Sequence, residues 1–185
     1  MKTLDKFILV VPNAIPEDVI KAIDCEYISS DDWVHAGVRD GVNTEIRNCL
    51  AIGMSFSSII EKNKLIRTNI DSELHTCTKR VLAKYKGMFS DVKVEQDSGY
   101  DLLKYEVGGF YISHTDHFKS VPREISCSFI LNDDYEGGEF AFFDRELVYK
   151  LKKGSCILFP SNFMYPHEIM PVTSGTRYSI ITWFV

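Results

Sequence analysis

Several things are scarce in this chain, and each scarcity removes a class of protein. Cysteine is limited to five residues, Cys25, Cys49, Cys77, Cys127 and Cys156. The number is odd and no C-x-x-C pair occurs, so neither a disulfide framework nor a zinc ribbon is indicated. Buried free thiols in a reducing compartment are the reading that remains. Positive charge is also short: 21 Lys and Arg stand against 26 Asp and Glu, for a formal net charge of −5. That balance gives no general attraction to nucleic-acid backbones or anionic membranes. The apolar run Phe7–Val11 is stopped by Pro12, below the roughly 7–15 residues of a signal-peptide core and far below the ~20 of a membrane span. A cytoplasmic protein is therefore expected. Glycine (11) and proline (6) form no tract, which sets aside disordered and collagen-like chains.

What is present fits a single domain over residues 1–185, about one core's worth of chain, with 45% hydrophobic and 12% aromatic residues. The hydrophobic period divides it into a helical preface over about 1–99 and a strand-rich core over about 100–185. After a short strand at Phe7–Val11, Pro16 opens a helix with Val19, Ile20 and Ile23 on one face, ending near Cys25. Residues 28–57 show no clear period. From about Ser58 to Lys86, the positions Ile66, Ile70, Leu74, Cys77, Val81 and Tyr85 recur at helical spacing, the stripe of a helix lying on a sheet, and Gly87 stops it. From Tyr100 the period becomes two. Strands are predicted at Tyr100–Val107, Phe110–Asp116, Ile125–Asn132, Glu139–Phe143, Glu146–Lys150, Ser155–Phe159, Met164–Met170 and Arg177–Val185. The fold class is α+β, with a double-stranded β-helix (jelly-roll, cupin-like) core and N-terminal supporting helices.

The chemistry concentrates in Phe110-Tyr111-Ile112-Ser113-His114-Thr115-Asp116-His117-Phe118. Residues two apart on a strand share a face, so His114 and Asp116 can reach one metal ion. An H-x-D pair alone is weak evidence, since strand histidines are usually structural. A third ligand is needed, and a rolled sheet could return His167 to the site from its own predicted strand; two histidines with one carboxylate suit non-haem Fe(II) oxygen chemistry. In the last strand, alternation places Arg177, Ser179, Ile181 and Trp183 on one apolar face. A guanidinium facing a core requires an anion, either an internal Asp or Glu or the carboxylate of a co-substrate.

The set His114, Asp116, His167 and Arg177 resembles the H-x-D…H…R motif of iron(II)/2-oxoglutarate-dependent dioxygenases of the prolyl 4-hydroxylase type. Supporting likeness lies in Lys104–Tyr111, with Tyr105 before the iron motif, in Leu131-Asn132 followed by Gly137-Gly138-Glu139-Phe140, and in Lys153–Pro160 leading to Tyr165-Pro166-His167. The resemblance covers roughly Asp101–Val185 well and the first hundred residues loosely, through Phe7–Ile23 and Arg47. It departs at Ile130, where related enzymes often carry a Tyr that helps the Arg hold 2-oxoglutarate; Tyr105, Ser179 and Ser128 are the alternatives for that second anchor. The resemblance implies Fe(II) held by His114, Asp116 and His167, and 2-oxoglutarate held by Arg177 with Tyr105 and Ser179. Dioxygen would be the oxidant and ascorbate an optional reductant. It also implies hydroxylation of a prolyl residue in a peptide or protein with release of succinate and CO2, the partner being that peptide or protein, with no nucleic acid and no membrane. Two alternatives remain: the same chemistry on a free amino acid or other small metabolite, and a metal-binding jelly roll without turnover, against which an inward Arg177 argues. Tyr105, Tyr111, Ile130 and Trp183 are expected to line the pocket. His117 reads as a surface residue or a substrate contact, His35 and His75 as solvent-facing or structural, and Asp133–Glu136 as a solvated turn or a substrate contact near the barrel mouth. Trp33, His35 and Arg39 suggest either packing or a lid.

Overall fold

The computed structural model describes residues 4–38, 40–55, 63–120 and 122–185. In chain order its strands are β1 (Leu9–Val11), β2 (Val34–His35), β3 (Arg47–Asn48), β4 (Leu50–Gly53), β5 (Asp101–Tyr105), β6 (Phe110–His114) and β7 (Ile125–Ile130). They continue with β8 (Glu136–Gly137), β9 (Phe140–Phe142), β10 (Leu147–Tyr149), β11 (Cys156–Pro160), β12 (His167–Ile169), β13 (Val172–Ser174) and β14 (Arg177–Phe184). The α-helices are α1 (Glu17–Ile23) and α2 (Lys64–Met88). Seven strands form the larger sheet in the order β1-β11-β7-β14-β5-β4-β2, five form the smaller in the order β10-β9-β12-β6-β3, and β13 pairs with β8. All pairings are antiparallel, and two facing sheets of this kind make a jelly roll.

The larger sheet is covered on both faces, and the period of two assigns its side chains. Leu102, Cys127, Phe129, Cys156, Leu158, Ile180 and Phe184 point to the helices, where they pack with Ile20, Ile23, Ile70, Leu74, Cys77 and Val81. The alternate residues Leu103, Tyr105, Ile130, Ile157, Phe159 and Ile181 face the smaller sheet and meet Phe140, Phe142 and Ile169. The two clusters are separate because a sheet divides them.

α2 lies on the outside of the larger sheet, as its apolar stripe requires. Two details differ from expectation. Ile66 is 49% exposed, and the buried place one residue on is taken by Arg67, whose Nε donates to Glu26 at 2.6 Å and Nη2 to Asp32 at 2.8 Å. The ion pairs tie the helix to the helical turn Asp24–Ile28 that continues α1 and to Asp32 beyond it, so the first turn is docked by charge rather than by an isoleucine. The helix begins at Lys64, and the predicted start at Ser58 lies outside the described residues.

The preface is less purely helical than its pattern suggests. β1, β2 and β4 extend both edges of the larger sheet, and β3 adds an edge to the smaller. β1 falls within the strand expected at Phe7–Val11, whereas β2 to β4, of two to four residues, show no alternation long enough to read. Among the described residues, no helix is long and apolar enough to cross a membrane.

Candidate metal and co-substrate site

Between the sheets lies a cavity of about 430 Å³, lined by His114, Asp116 and His167 in its wall and by Arg177, Ser179, Tyr105 and Phe140 at one end. The ligand atoms of His114, Asp116 and His167 lie within 4.8 Å of one another. His114 Nε2 is 3.5 Å from Asp116 Oδ1, and His167 Nε2 is 3.5 Å from Asp116 Oδ2. Neighbouring ligands about 2.1 Å from a common ion would stand roughly 3 Å apart, so each histidine–carboxylate pair is within about half an ångström of that spacing.

Local structure explains why these atoms meet. β12 pairs with β6 so that His167 stands opposite His114, but Ile169 stands opposite Tyr111, so one extra residue is accommodated on β6. That bulge turns Tyr111 and His114, three residues apart, toward the cavity together, with rings stacked at 3.5 Å. Ile112, which strict alternation would put on the face of His114, is 43% exposed instead. Nor is Asp116 a strand residue. β6 ends at His114, and the following loop is pinned by Asp116 and His117 backbone N–H groups donating to the Ser161 carbonyl. The two residues thus reach one point by a bulge and a pinned loop rather than by the shared strand face inferred from spacing.

The surrounding hydrogen bonds leave the metal-facing atoms free. His114 Nδ1 pairs with the Ile112 carbonyl at 2.8 Å and His167 Nδ1 with the Tyr165 carbonyl at 3.1 Å. A proton is thereby assigned to each Nδ1 and a lone pair to each Nε2. Ser126 Oγ donates to Asp116 Oδ2 at 2.6 Å and contacts Ser161 Oγ at 2.8 Å. Burial, reinforced by the adjacent His114, pulls the His167 pKa down to about 4. Burial alone would raise Asp116, but the attraction of His167 and His114 and the bond from Ser126 hold its carboxyl well below the usual range. An ionised carboxylate with two neutral imidazoles is the donor set a divalent first-row metal takes, so the residues fit iron.

Arg177 is 1% exposed. Its Nη1 donates to Ser179 Oγ at 2.7 Å, its Nε is buried without an acceptor, and its guanidinium lies 5.2 Å from the Tyr105 ring and 5.4 Å from Phe140. It forms no ion pair among the described residues, which removes the internal Asp or Glu as its partner. A buried guanidinium without an anion is costly, so this end of the cavity fits the far carboxylate of a diacid. Gly138 backs it closely: a Cβ there would meet Arg177 Cδ at 2.9 Å, in a left-handed backbone with φ +67°.

The remaining sequence candidates are placed as follows. Ser128, Tyr111 and Trp183 line the cavity, whereas Ile130 is packed in the core between the sheets. His35 lines the cavity, while Trp33 packs on the helix side of the sheet, 6.3 Å from Tyr178; Arg39 lies outside the described residues. His117 is exposed and pairs with the Arg123 carbonyl, and His75 pairs with Asp97. Asp133 and Asp134 are exposed, and Glu136 pairs with Lys150. Sequence reasoning missed Arg123 and Asp101 as cavity residues. Arg123 sits in an irregular loop, where no period marks it. Asp101 shares the inward face of β5 with Leu103 and Tyr105, a signal that was available.

Residues 100–185 match the family model of the 2OG-Fe(II) oxygenase superfamily. A PKHD-type hydroxylase of Colwellia psychrerythraea is 28% identical over 125 residues, 63% of this chain and 55% of that protein. A PKHD-type hydroxylase of a Synechococcus strain is 36% identical over 89 residues, 43% of this chain and 39% of that one. The chain therefore spans about half the length of these relatives, or less. Among solved structures, a prolyl hydroxylase of Trichoplax adhaerens in complex with a peptide fragment of the hypoxia-inducible factor oxygen degradation domain superposes with a TM-score of 0.78 at 17% identity, over 99% of this chain and 84% of that one. A prolyl-4-hydroxylase of Pseudomonas putida gives 0.69 at 22% identity, over 96% and 92%. These two share the fold, and the segment that matches the 2OG-Fe(II) oxygenase superfamily model, residues 100–185, is the one that holds the triad and the buried guanidinium.

Proposed function

We propose that the protein is an Fe(II)- and 2-oxoglutarate-dependent dioxygenase that hydroxylates a prolyl residue of a peptide or protein. The observation that carries the reaction class is the placement of a two-histidine, one-carboxylate set and a fully buried, unpaired guanidinium in one cavity. Bound iron, with 2-oxoglutarate and dioxygen, supplies oxidative decarboxylation to succinate and CO2 together with one oxygen atom for a substrate C–H bond. The chain's part is placement. His114, Asp116 and His167 would hold the metal, their Nδ1 and carboxylate partners fixing each side chain's direction. Arg177 receives the far carboxylate of 2-oxoglutarate through two N–H groups, and Ser179, accepting from Arg177, keeps its own hydroxyl proton for that carboxylate. Tyr105 and Phe140 keep water from the guanidinium.

Hydroxylation is supported by the hydroxylase names of the relatives, and the prolyl substrate by the peptide-bound prolyl hydroxylase and the prolyl-4-hydroxylase that share this fold. Four buried thiols among five cysteines suit a reducing, cytoplasmic setting. The test is succinate release with Fe(II), with and without ascorbate, on proline-containing peptides and on free amino acids. Peptide-dependent succinate with a mass gain of one oxygen on proline is the expected result. Succinate released only with a free amino acid would move the enzyme to small-molecule hydroxylation, and none with any substrate would remove the hydroxylase reading.

A further inference from the structure

At the end of the cavity away from Arg177 stand three charged side chains without a role in holding metal or co-substrate: Arg47, Asp101 and Arg123. Trp183, against which Arg123 rests, is six residues along β14 from Arg177, and Asp101 is four along β5 from Tyr105, the residue opposite Arg177. At about 3.4 Å per residue these are spans of roughly 20 and 14 Å, too long for a five-carbon diacid held at Arg177 to bridge.

The two arginines come from opposite sides. Arg47, on the smaller sheet, lies 4.8 Å from the centre of the Tyr111 ring and donates from Nη1 to the Gly37 carbonyl at 3.1 Å. Arg123, from the loop after β6, lies 3.5 Å from the centre of the Trp183 ring and 5.1 Å from that of Phe118. Its side chain makes one long hydrogen bond among the described residues, 3.5 Å from Nη1 to the Asp116 carbonyl. Neither forms an ion pair there, and the Nε of each is buried without an acceptor. Asp101 is near enough to be pulled by both, against a burial that raises its carboxyl pKa, yet pairs directly with neither. The carboxylates that act on them are Asp101 and, for Arg123, Asp116; with the charge of Asp116 given to a metal, two half-buried guanidiniums face one carboxylate, and a carboxylate shared between forked N–H groups is the partner that relieves them.

We infer that the primary substrate presents a carboxylate to Arg47 and Arg123, close to the carbon that is hydroxylated, so that the enzyme selects an acidic substrate over its neutral counterpart. This rests on the hydroxylase reading above and names the chemistry of its substrate. The carboxylate has two sources, an Asp or Glu side chain flanking the proline of a peptide or the α-carboxylate of free proline. The indole of Trp183 then offers the apolar wall against which a pyrrolidine ring sits.

The test compares two pairs: a proline peptide with flanking aspartates against the same peptide with asparagines, and L-proline against L-prolinamide. Binding is read from Trp183 fluorescence in a Trp33→Phe background, with Mn(II) and 2-oxoglutarate present. In at least one pair the acid should bind about tenfold more tightly than the amide, the scale of one charge-assisted contact, and the pair that responds identifies the source. Arg47→Gln and Arg123→Gln should each shrink that preference to less than about threefold. Melting temperature and 2-oxoglutarate affinity, measured alongside, separate lost recognition from lost fold, and the acid–amide comparison on the parent protein needs no arginine variant. Equal affinity within both pairs, no binding by any of the four, or a preference that survives both substitutions overturns the inference. Succinate release in parallel keeps the two claims apart. Turnover without acid preference removes this one and leaves the hydroxylase; acid preference without turnover does the reverse.

Discussion

The two faces of the larger sheet are built from the same strands and have opposite characters. On β7 the helix-facing residues are Ile125, Cys127 and Phe129, while the inward residues include Ser126 and Ser128. On β14 the helix-facing residues include Ile180 and Phe184, while the inward ones are Arg177, Ser179, Ile181 and Trp183. One face gains stability from apolar burial. The other gives up that burial to hold a buried guanidinium, a serine bonded to the Asp116 carboxylate and a cavity. A sheet one residue thick keeps these roles apart because neighbouring side chains point in opposite directions, so scaffold and site should respond to different perturbations.

The largest effect should come from the inward side. His167→Ala removes one of three ligands, and Mn(II) or Fe(II) binding, followed by calorimetry, should be lost while the circular dichroism spectrum stays that of the folded protein. Retained metal affinity would show that the triad is not the metal site. On the outer side, Leu74 is fully buried on α2. Leu74→Ala should lower unfolding free energy by about 2–5 kcal/mol, the usual range for truncating a buried leucine, with 2-oxoglutarate affinity unchanged in the folded fraction. A variant as stable as the parent that loses co-substrate binding would abolish the division between the faces.

Acid sharpens the comparison through the metal-free protein. His167 has a folded pKa pulled down to about 4 from an ordinary 6.5, so the unfolded chain takes up its proton first as the pH falls. Stability is fully present above pH 6.5 and declines between about 6.5 and 4, by roughly 2–4 kcal/mol at about 1.4 kcal/mol per pKa unit. Asp116, held low, adds a further loss only below the ordinary carboxylate range. In His167→Gln the first decline should vanish in urea titrations across this range; an unchanged slope would assign it elsewhere. The smallest effect should follow Arg177→Lys, which keeps the charge and loses the fork. 2-Oxoglutarate should bind about 1–3 kcal/mol more weakly, read by calorimetry with Mn(II). Unaltered affinity would mean another residue holds the far carboxylate.

Much of this division is legible from the residues themselves. The stripe from Ile70 to Tyr85 dictates a helix on a sheet, because an apolar row at that spacing has to be covered. The alternation of β14 puts Arg177 and Ser179 inward beside Ile181, because side chains on a strand have only two directions. His114, Asp116, His167 and Arg177 carry the resemblance on which the reaction class rests. The strand at Phe7–Val11 contains β1, but the edge strands β2 to β4 are not legible, since two to four residues carry no period, and Arg67 displaces Ile66 from the buried row because Glu26 and Asp32 wait for it in a segment distant in sequence.

The sequence by itself determined the element types with long periods, the inward guanidinium and the three side chains of the candidate metal set, because each depends on residue type and local spacing. Only the tertiary structure decided how they meet. The bulge on β6 overrides alternation and brings Tyr111 and His114 to one face, and the Ser161 carbonyl pins Asp116 beyond the end of the strand. Arg47, Asp101 and Arg123 gather at the far end of the cavity from a strand of each sheet and a loop. Such meetings depend on register and loop anchoring between segments tens of residues apart, and no local period encodes them.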